Sequence, residues 1–189
     1  MEKYLYLIQF FLSSSFATAQ QLPICSNSNA NWSKKGDKIV FDGTRNSKQG
    51  IYILDLKTRS VSLVSDYPGR DAHPFWSPDG KFIAFQTTRD TISSYLVDIV
   101  IKSHNNSEIK KIVAMDGFCG VPAWSPDGKR LSFQYMPMKS WEEFKKNKWQ
   151  IFILDSDGDN LKQLTIEQEH CQVPNWSPDG QFIVFHSNV

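Results

Sequence analysis

The chain has 189 residues, with 21 basic and 20 acidic side chains and a formal net charge of +1. That balance excludes the one-sided basic footprint of a nucleic-acid-binding surface. Hydrophobic residues make up 40% and aromatic residues 13%, enough for a packed β core.

The N-terminus reads as an export signal. Lys3 is followed by an apolar stretch over 4–12 and by small residues that end in Ala17-Thr18-Ala19, an A-x-A cleavage pattern before Gln20. This predicts a signal peptide over 1–19, a linker over 20–30 and a periplasmic or secreted product. The apolar stretch is too short to span a bilayer, so no membrane span is expected in the mature chain. A strand that completes a sheet is the competing reading of the same residues. Cys25 is a poor lipid-attachment site, because bulky Ile24 stands where a small residue is needed.

From residue 31 the chain repeats. Trp76-Ser77-Pro78-Asp79-Gly80 recurs as Trp124-Ser125-Pro126-Asp127-Gly128 and as Trp176-Ser177-Pro178-Asp179-Gly180, with a worn copy in Trp32-Ser33-Lys34-Lys35-Gly36. Successive tryptophans lie 44, 48 and 52 residues apart. Serine opens a type I turn, proline fixes φ at the second position, and glycine suits the last. A strand-like run follows each turn: Lys38-Ile39-Val40-Phe41, Phe82-Ile83-Ala84-Phe85, Arg130-Leu131-Ser132-Phe133 and Phe182-Ile183-Val184-Phe185. These runs are apolar on both faces, as in a strand covered on both sides. The tryptophan ahead of each turn therefore reads as a wedge between stacked sheets.

A second hairpin completes each unit. Gly50-Ile51-Tyr52-Ile53-Leu54-Asp55 leads into 61–65, Asp98-Ile99-Val100-Ile101-Lys102 into 109–113, and Gln150-Ile151-Phe152-Ile153-Leu154-Asp155 into 161–165. Four antiparallel strands per unit at this period predict β-propeller blades. Their expected bounds are 31–70, 71–118, 119–170 and an incomplete 171–189. The fold class is all-β, about three and a half blades, forming an open arc or part of a larger ring.

Pro74-Phe75-Trp76-Ser77-Pro78-Asp79-Gly80-Lys81 and Pro122-Ala123-Trp124-Ser125-Pro126-Asp127-Gly128-Lys129 resemble the Pro-x-Trp-Ser-Pro-Asp-Gly-Lys hairpin of the TolB-type, WD-repeat-like β-propeller family. The stretch from Pro174 to Gly180 fits as well, with Gln181 in place of the lysine. The resemblance covers 31–189. It implies a six- or seven-bladed relative and a non-catalytic module for protein–protein interaction in the cell envelope. The family's namesake carries an α/β domain ahead of its propeller, and this chain resembles only part of the propeller. Two alternatives from the same fold are a metal-dependent, polysaccharide-lyase-like enzyme and the accessory propeller of a peptidase.

Chemistry-bearing residues are few. Cys119 and Cys171 each lie five residues before a repeat tryptophan, which fits small buried side chains at equivalent strand starts better than a disulfide. Asp155-Ser156-Asp157-Gly158-Asp159 has the alternating carboxylates of a calcium loop. The matching loops of other units lack them, so turn chemistry is the preferred role. His73 and His170 lie ahead of the tryptophans of the second and fourth repeats, where they face the channel mouth as candidate binding residues. The lyase alternative would use His73, His170 or His186. No metal-ligand spacing or nucleophile elbow accompanies these histidines, so no catalytic residue, metal or cofactor is assigned.

The unit 3 loop over 136–148 departs from the repeat. Trp141 and Phe144 are three residues apart, so one helical turn sets both on one face, ringed by lysines. Aromatics with a basic rim suit a protein partner, and both are assigned as binding residues. An alternative has them folded back on the blade. Self-association is also expected, because the fourth unit ends in an apolar strand whose edge recruits other chains. The leader reading yields a direct test: N-terminal sequencing of protein from a secreting host is expected to begin at Gln20, and intact Met1 on the soluble product would refute it.

Overall fold

A computed structural model describes residues 26–65, 69–88, 96–104, 109–140, 142–165 and 170–188. The expected signal peptide, Cys25 and Trp141 lie outside these described residues. Three four-stranded antiparallel sheets and one two-stranded sheet follow one another along the chain. Blade 1 contains β1 (Ser26–Trp32), β2 (Lys38–Arg45), β3 (Lys48–Asp55) and β4 (Ser60–Ser65). Blade 2 contains β5 (Asp71–Trp76), β6 (Phe82–Thr87), β7 (Asp98–Ser103) and β8 (Ile109–Val113). In blade 3 these are β9 (Gly117–Trp124), β10 (Arg130–Pro137), β11 (Gln150–Asp155) and β12 (Lys162–Gln163). Blade 4 is the hairpin of β13 (His170–Trp176) and β14 (Ile183–Asn188). The all-β propeller reading holds. β1 starts at Ser26, inside the stretch expected to be a linker, because a bulge between Ser28 and Asn31 carries its pairing with β2 onward.

The repeated turn closes each first hairpin with the same bonds. In blade 2 the Gly80 N–H donates to the Ser77 carbonyl at 2.9 Å and the Phe82 N–H to Ser77 Oγ at 2.9 Å, while that hydroxyl donates to Asp79 Oδ1 at 2.6 Å. Blades 3 and 4 repeat the set on Ser125 and Ser177. The worn turn keeps it too: Ser33 Oγ finds Asp37 at 2.8 Å, and Gly36 retains the left-handed φ of +70° that only glycine adopts freely. Loss of proline and the usual aspartate therefore leaves this turn intact.

Stacked sheets build the core between blades. Val40, Ile51 and Ile53 of blade 1 pack with Trp76, Ile83, Phe85 and Val100 of blade 2. Ala84, Ile99, Ile101 and Val113 of blade 2 pack with Cys119, Trp124, Leu131, Phe133 and Leu154 of blade 3. Within β6, Ile83 and Phe85 face backward and Ala84 forward, the period-2 alternation of a strand with two dry faces. Trp76 and Trp124 are 4% and 6% exposed, against 53% for Trp32, which no described sheet precedes. The tryptophan is a wedge wherever a preceding blade exists to receive it.

That difference generates a test. Trp124→Ala should cost about 3–5 kcal/mol, most of the stability of an ordinary domain. Trp32→Ala should cost less than about 1 kcal/mol. Urea denaturation followed by circular dichroism reads both, and equal losses would refute the wedge.

Candidate functional site

The first strands of successive blades approach one another, β1 to β5, β5 to β9 and β9 to β13, and so form the inner wall of the arc. Each carries one bulge, three residues before its tryptophan. The bulge residues Asn29, His73, Val121 and Val173 have φ of 47°, 52°, 52° and 56°. Valine in this region is strained, at about 1–3 kcal/mol per residue. Something must hold the bulges in place.

The restraint comes from the preceding blade. His73 N–H donates to Asp42 Oδ1 at 3.0 Å, Val121 N–H to Gln86 Oε1 at 3.2 Å and Val173 N–H to Gln134 Oε1 at 2.9 Å. Each acceptor stands ten residues after its own blade's tryptophan, on the second strand. The fourth member of this series is His186, which is exposed. Asp42 also accepts from Asn29 Nδ2 at 2.8 Å. The buried polar seat was missed from sequence, although a polar residue closing each apolar run at a fixed offset from tryptophan marks it.

The histidines chosen from sequence divide accordingly. His73 sits half-buried on the inner wall, where burial lowers its pKa and the nearby Asp42 carboxylate partly opposes that shift. His170 latches blade 4 to blade 3: its Nδ1 accepts the Trp149 N–H at 3.5 Å, beside a 2.8 Å bond from Cys171 N–H to the Trp149 carbonyl. These two histidines lie on β5 and β13 with β9 between them, so the fold does not bring them into one cluster. Among the described residues no group of three or more His, Cys, Asp or Glu side chains is placed to hold a metal ion. Cys119 and Cys171 are both buried, and burial pushes the Cys119 pKa far up. The Asp155–Asp159 carboxylates serve the turn: Asp157 Oδ1 accepts the Asp159 N–H, and Asp155 Oδ2 accepts from Asn160.

The unit 3 loop is anchored at its base. Met136, Met138 and Trp149 are buried together with Phe118, whose ring meets Trp149 edge-on at 5.1 Å. From this anchor a 3-10 turn over Glu143–Lys145 projects Phe144, 43% exposed. Lys139, Lys145, Lys146 and Lys148 are all exposed around it. The turn is pinned by Lys139 N–H donating to Glu143 Oε2 at 2.7 Å and Asn147 Nδ2 to the Pro137 carbonyl at 2.5 Å. A 3-10 turn over Glu143–Lys145 carries Phe144, and the expected pairing of Phe144 with Trp141 on one face falls outside the described residues.

The His73 environment sets a pH dependence. Its lowered pKa means the unfolded chain binds the proton more readily, so this contribution to stability is complete above about pH 6.5 and is lost as pH falls through the lower folded value. His73→Gln should flatten the slope of stability against pH in that window, read from urea midpoints. An unchanged slope would refute the assignment.

No protein-family model matches the chain. It is 29% identical over 157 residues to the Tol-Pal system protein TolB of Francisella tularensis subsp. holarctica, a match covering 82% of this chain and 33% of that protein. The chain thus spans about one third of the length of that curated relative. Among solved structures it superposes on a putative TolB from Agrobacterium tumefaciens with TM-score 0.72, at 22% identity over 90% of this chain and 61% of that one. TolB from Acinetobacter baumannii gives 0.67 at 24% identity, covering 82% and 36%. The repeats, the four-stranded sheets and these matches together make this chain a partial TolB-like β-propeller.

Proposed function

We propose that the chain is a non-catalytic protein-interaction module of the cell envelope, related to the Tol-Pal system and working in the periplasm or outside the cell. The observation that carries this reading is the sequence match to a Tol-Pal system TolB across 82% of the chain. Two features of the molecule support it. Among the described residues no helix is long and apolar enough to cross a membrane, and the leader pattern over 1–19 fits export. The lyase-like and peptidase-accessory readings are not favoured.

Within this reading the unit 3 loop supplies the partner contact. Phe144, with Trp141, is the aromatic anchor, and the four lysines are the rim that steers an acidic partner. His73 and His170 act at the inner wall, where they set the blade seams that present the loop. Self-association through the open edge of blade 4 belongs to the same reading. No cofactor is assigned.

Binding to purified Tol-Pal system proteins from the same source, measured by calorimetry, tests the proposal. The chain should bind one of them. Trp141→Ser with Phe144→Ser should weaken that binding by at least about tenfold, as expected for aromatic hot spots, with the melting temperature nearly unchanged. Absence of binding to every component would refute the envelope role, and a large melting shift would make the aromatics core residues.

A further inference from the structure

The seam between blades 2 and 3 holds a cavity of about 470 Å³ at the turn end of the strands. That volume lies inside the range of about 300–1,000 Å³ found for ligand sites. Its walls include Asp79 and Phe82 of blade 2 and Trp124, Asp127 and Asp157 of blade 3. The unit 3 loop leaves the opposite end of blade 3, after Pro137 of β10.

Two changes in the repeat open this space. The residue six after each tryptophan is Lys38 in blade 1, Phe82 in blade 2 and Arg130 in blade 3. Across the strand pair these face Asp55, Ser103 and Asp155. Blade 2 thus lacks both the cation and the carboxylate that its neighbours put there. Lys38 pairs with Asp55, and the Arg130 guanidinium stands 4.8 Å from the centroid of the Trp176 ring. The second change lies on the tryptophan's own blade. His104 meets Trp76 edge-on at 5.4 Å, and Ser156 is its counterpart in blade 3. The two N–H groups donate to the carbonyls of Lys81 and Lys129, each five residues after a tryptophan. Trp124 therefore receives neither a guanidinium nor an imidazole, and Phe82, Ser156 and Trp124 all line the cavity.

Carboxylates dominate the lining, with Asp79, Asp127 and Asp157 against the single ammonium of Lys110. Lys110 Nζ donates to the Asp157 carbonyl at 2.6 Å. The turns use Oδ1 of Asp79 and Asp127, which accepts a serine hydroxyl at 2.6 Å and a backbone N–H at 3.0 Å. Lys81, 70% exposed, lies 3.8 Å from Asp79 Oδ2. Arg130 and Lys129 act on Asp127 from farther away, and among the described residues Asp127 and Asp157 form no ion pair. Trp124 is 6% exposed, so the accessible aromatic is Phe82, at 39%. The indole N–H groups of Trp76 and Trp124 have no acceptor, whereas Trp176 donates to the Ala123 carbonyl at 3.2 Å. Of those two tryptophans, Trp124 lines the cavity.

We propose that this cavity binds an arginine side chain carried on a peptide segment of another protein, its guanidinium plane against Phe82 and its charge toward Asp79, Asp127 and Asp157. Arginine fits better than lysine, because a planar guanidinium stacks on an aromatic ring and bonds carboxylates in pairs. The seam between blades 3 and 4 already holds such a stack, in Arg130 on Trp176. A peptide fits better than a free cation, since its carbonyls supply the acceptor that the Trp124 N–H lacks. The site is acidic and lies at the end of the blade opposite the basic loop, so it does not depend on the loop contact.

Calorimetric titration of the purified full chain with acetyl-Gly-Arg-Gly-amide tests the proposal, beside the citrulline and lysine tripeptides. The arginine peptide should bind saturably, and the citrulline peptide, of like shape without the charge, at least about tenfold more weakly. Asp127→Asn keeps the oxygen that the turn uses and should weaken binding about threefold. Phe82→Arg installs the blade 3 side chain in blade 2 and should abolish binding, with circular dichroism verifying the fold. Ser156→His, which restores the blade 2 arrangement, takes its place if that variant misfolds. Trp141→Ser with Phe144→Ser should leave tripeptide binding unchanged, so the cavity and the loop contact fail separately. No saturable binding of the arginine peptide would overturn the proposal. So would citrulline or lysine peptides that bind as tightly, or binding that survives the filling variant.

Discussion

Each sheet of this protein hides its apolar faces only because another sheet lies against it, at a spacing near 10 Å. A lone four-stranded sheet with Ile83 and Phe85 on one side and Ala84 on the other has nowhere to put either face. The repeated tryptophan answers this constraint. It is placed at the end of the inner strand, just before the turn, so that it wedges against the preceding blade while the following strand supplies the rest of the seam. Trp76 and Trp124 show the filled state, and Trp32 is the same side chain left exposed, with no described sheet ahead of it. Stability in such an array is carried by contacts between neighbouring blades.

The bulges add a second, polar layer to the same seam. A strained left-handed residue turns one backbone N–H toward the earlier blade, where Asp42, Gln86 or Gln134 accepts it. What the seam needs there is an oxygen acceptor on a side chain of the right reach, so carboxylate and amide serve alike. A buried N–H without a partner costs about 1–3 kcal/mol, and a valine held at positive φ adds strain of its own. The bond and the bulge are therefore coupled. His73 joins this layer by its backbone, which explains why a histidine at this position need not signal catalysis.

The unit 3 loop departs from the repeat. The loop over 138–149 grows out of a dry cluster of Met136, Met138, Trp149 and Phe118, so its exposed part is held on a rigid base. A rigid platform with an aromatic tip and a cationic rim suits recognition of another protein. The blades themselves supply position more than chemistry, in keeping with the frequent use of propellers as presenting surfaces.

Much of the fold was legible in the sequence. Serine, aspartate and glycine at fixed offsets dictate a local turn whatever surrounds it, and the apolar runs after it announce strands covered on both sides. The burial of Cys119 and Cys171 also followed from their place at equivalent strand starts. The polar seat at Asp42, Gln86 and Gln134 was not legible, because its bond joins blades 31 to 39 residues apart in sequence and depends on a bulge that no local pattern announces. The bond by which His170 ties Trp149 across a seam was not legible either. Local sequence thus determined the turns, the strands and their two dry faces, since those depend on neighbours along the chain. Which side chains meet across blades, and which faces stay open, was decided only when the sheets stacked, because both depend on contacts between distant residues.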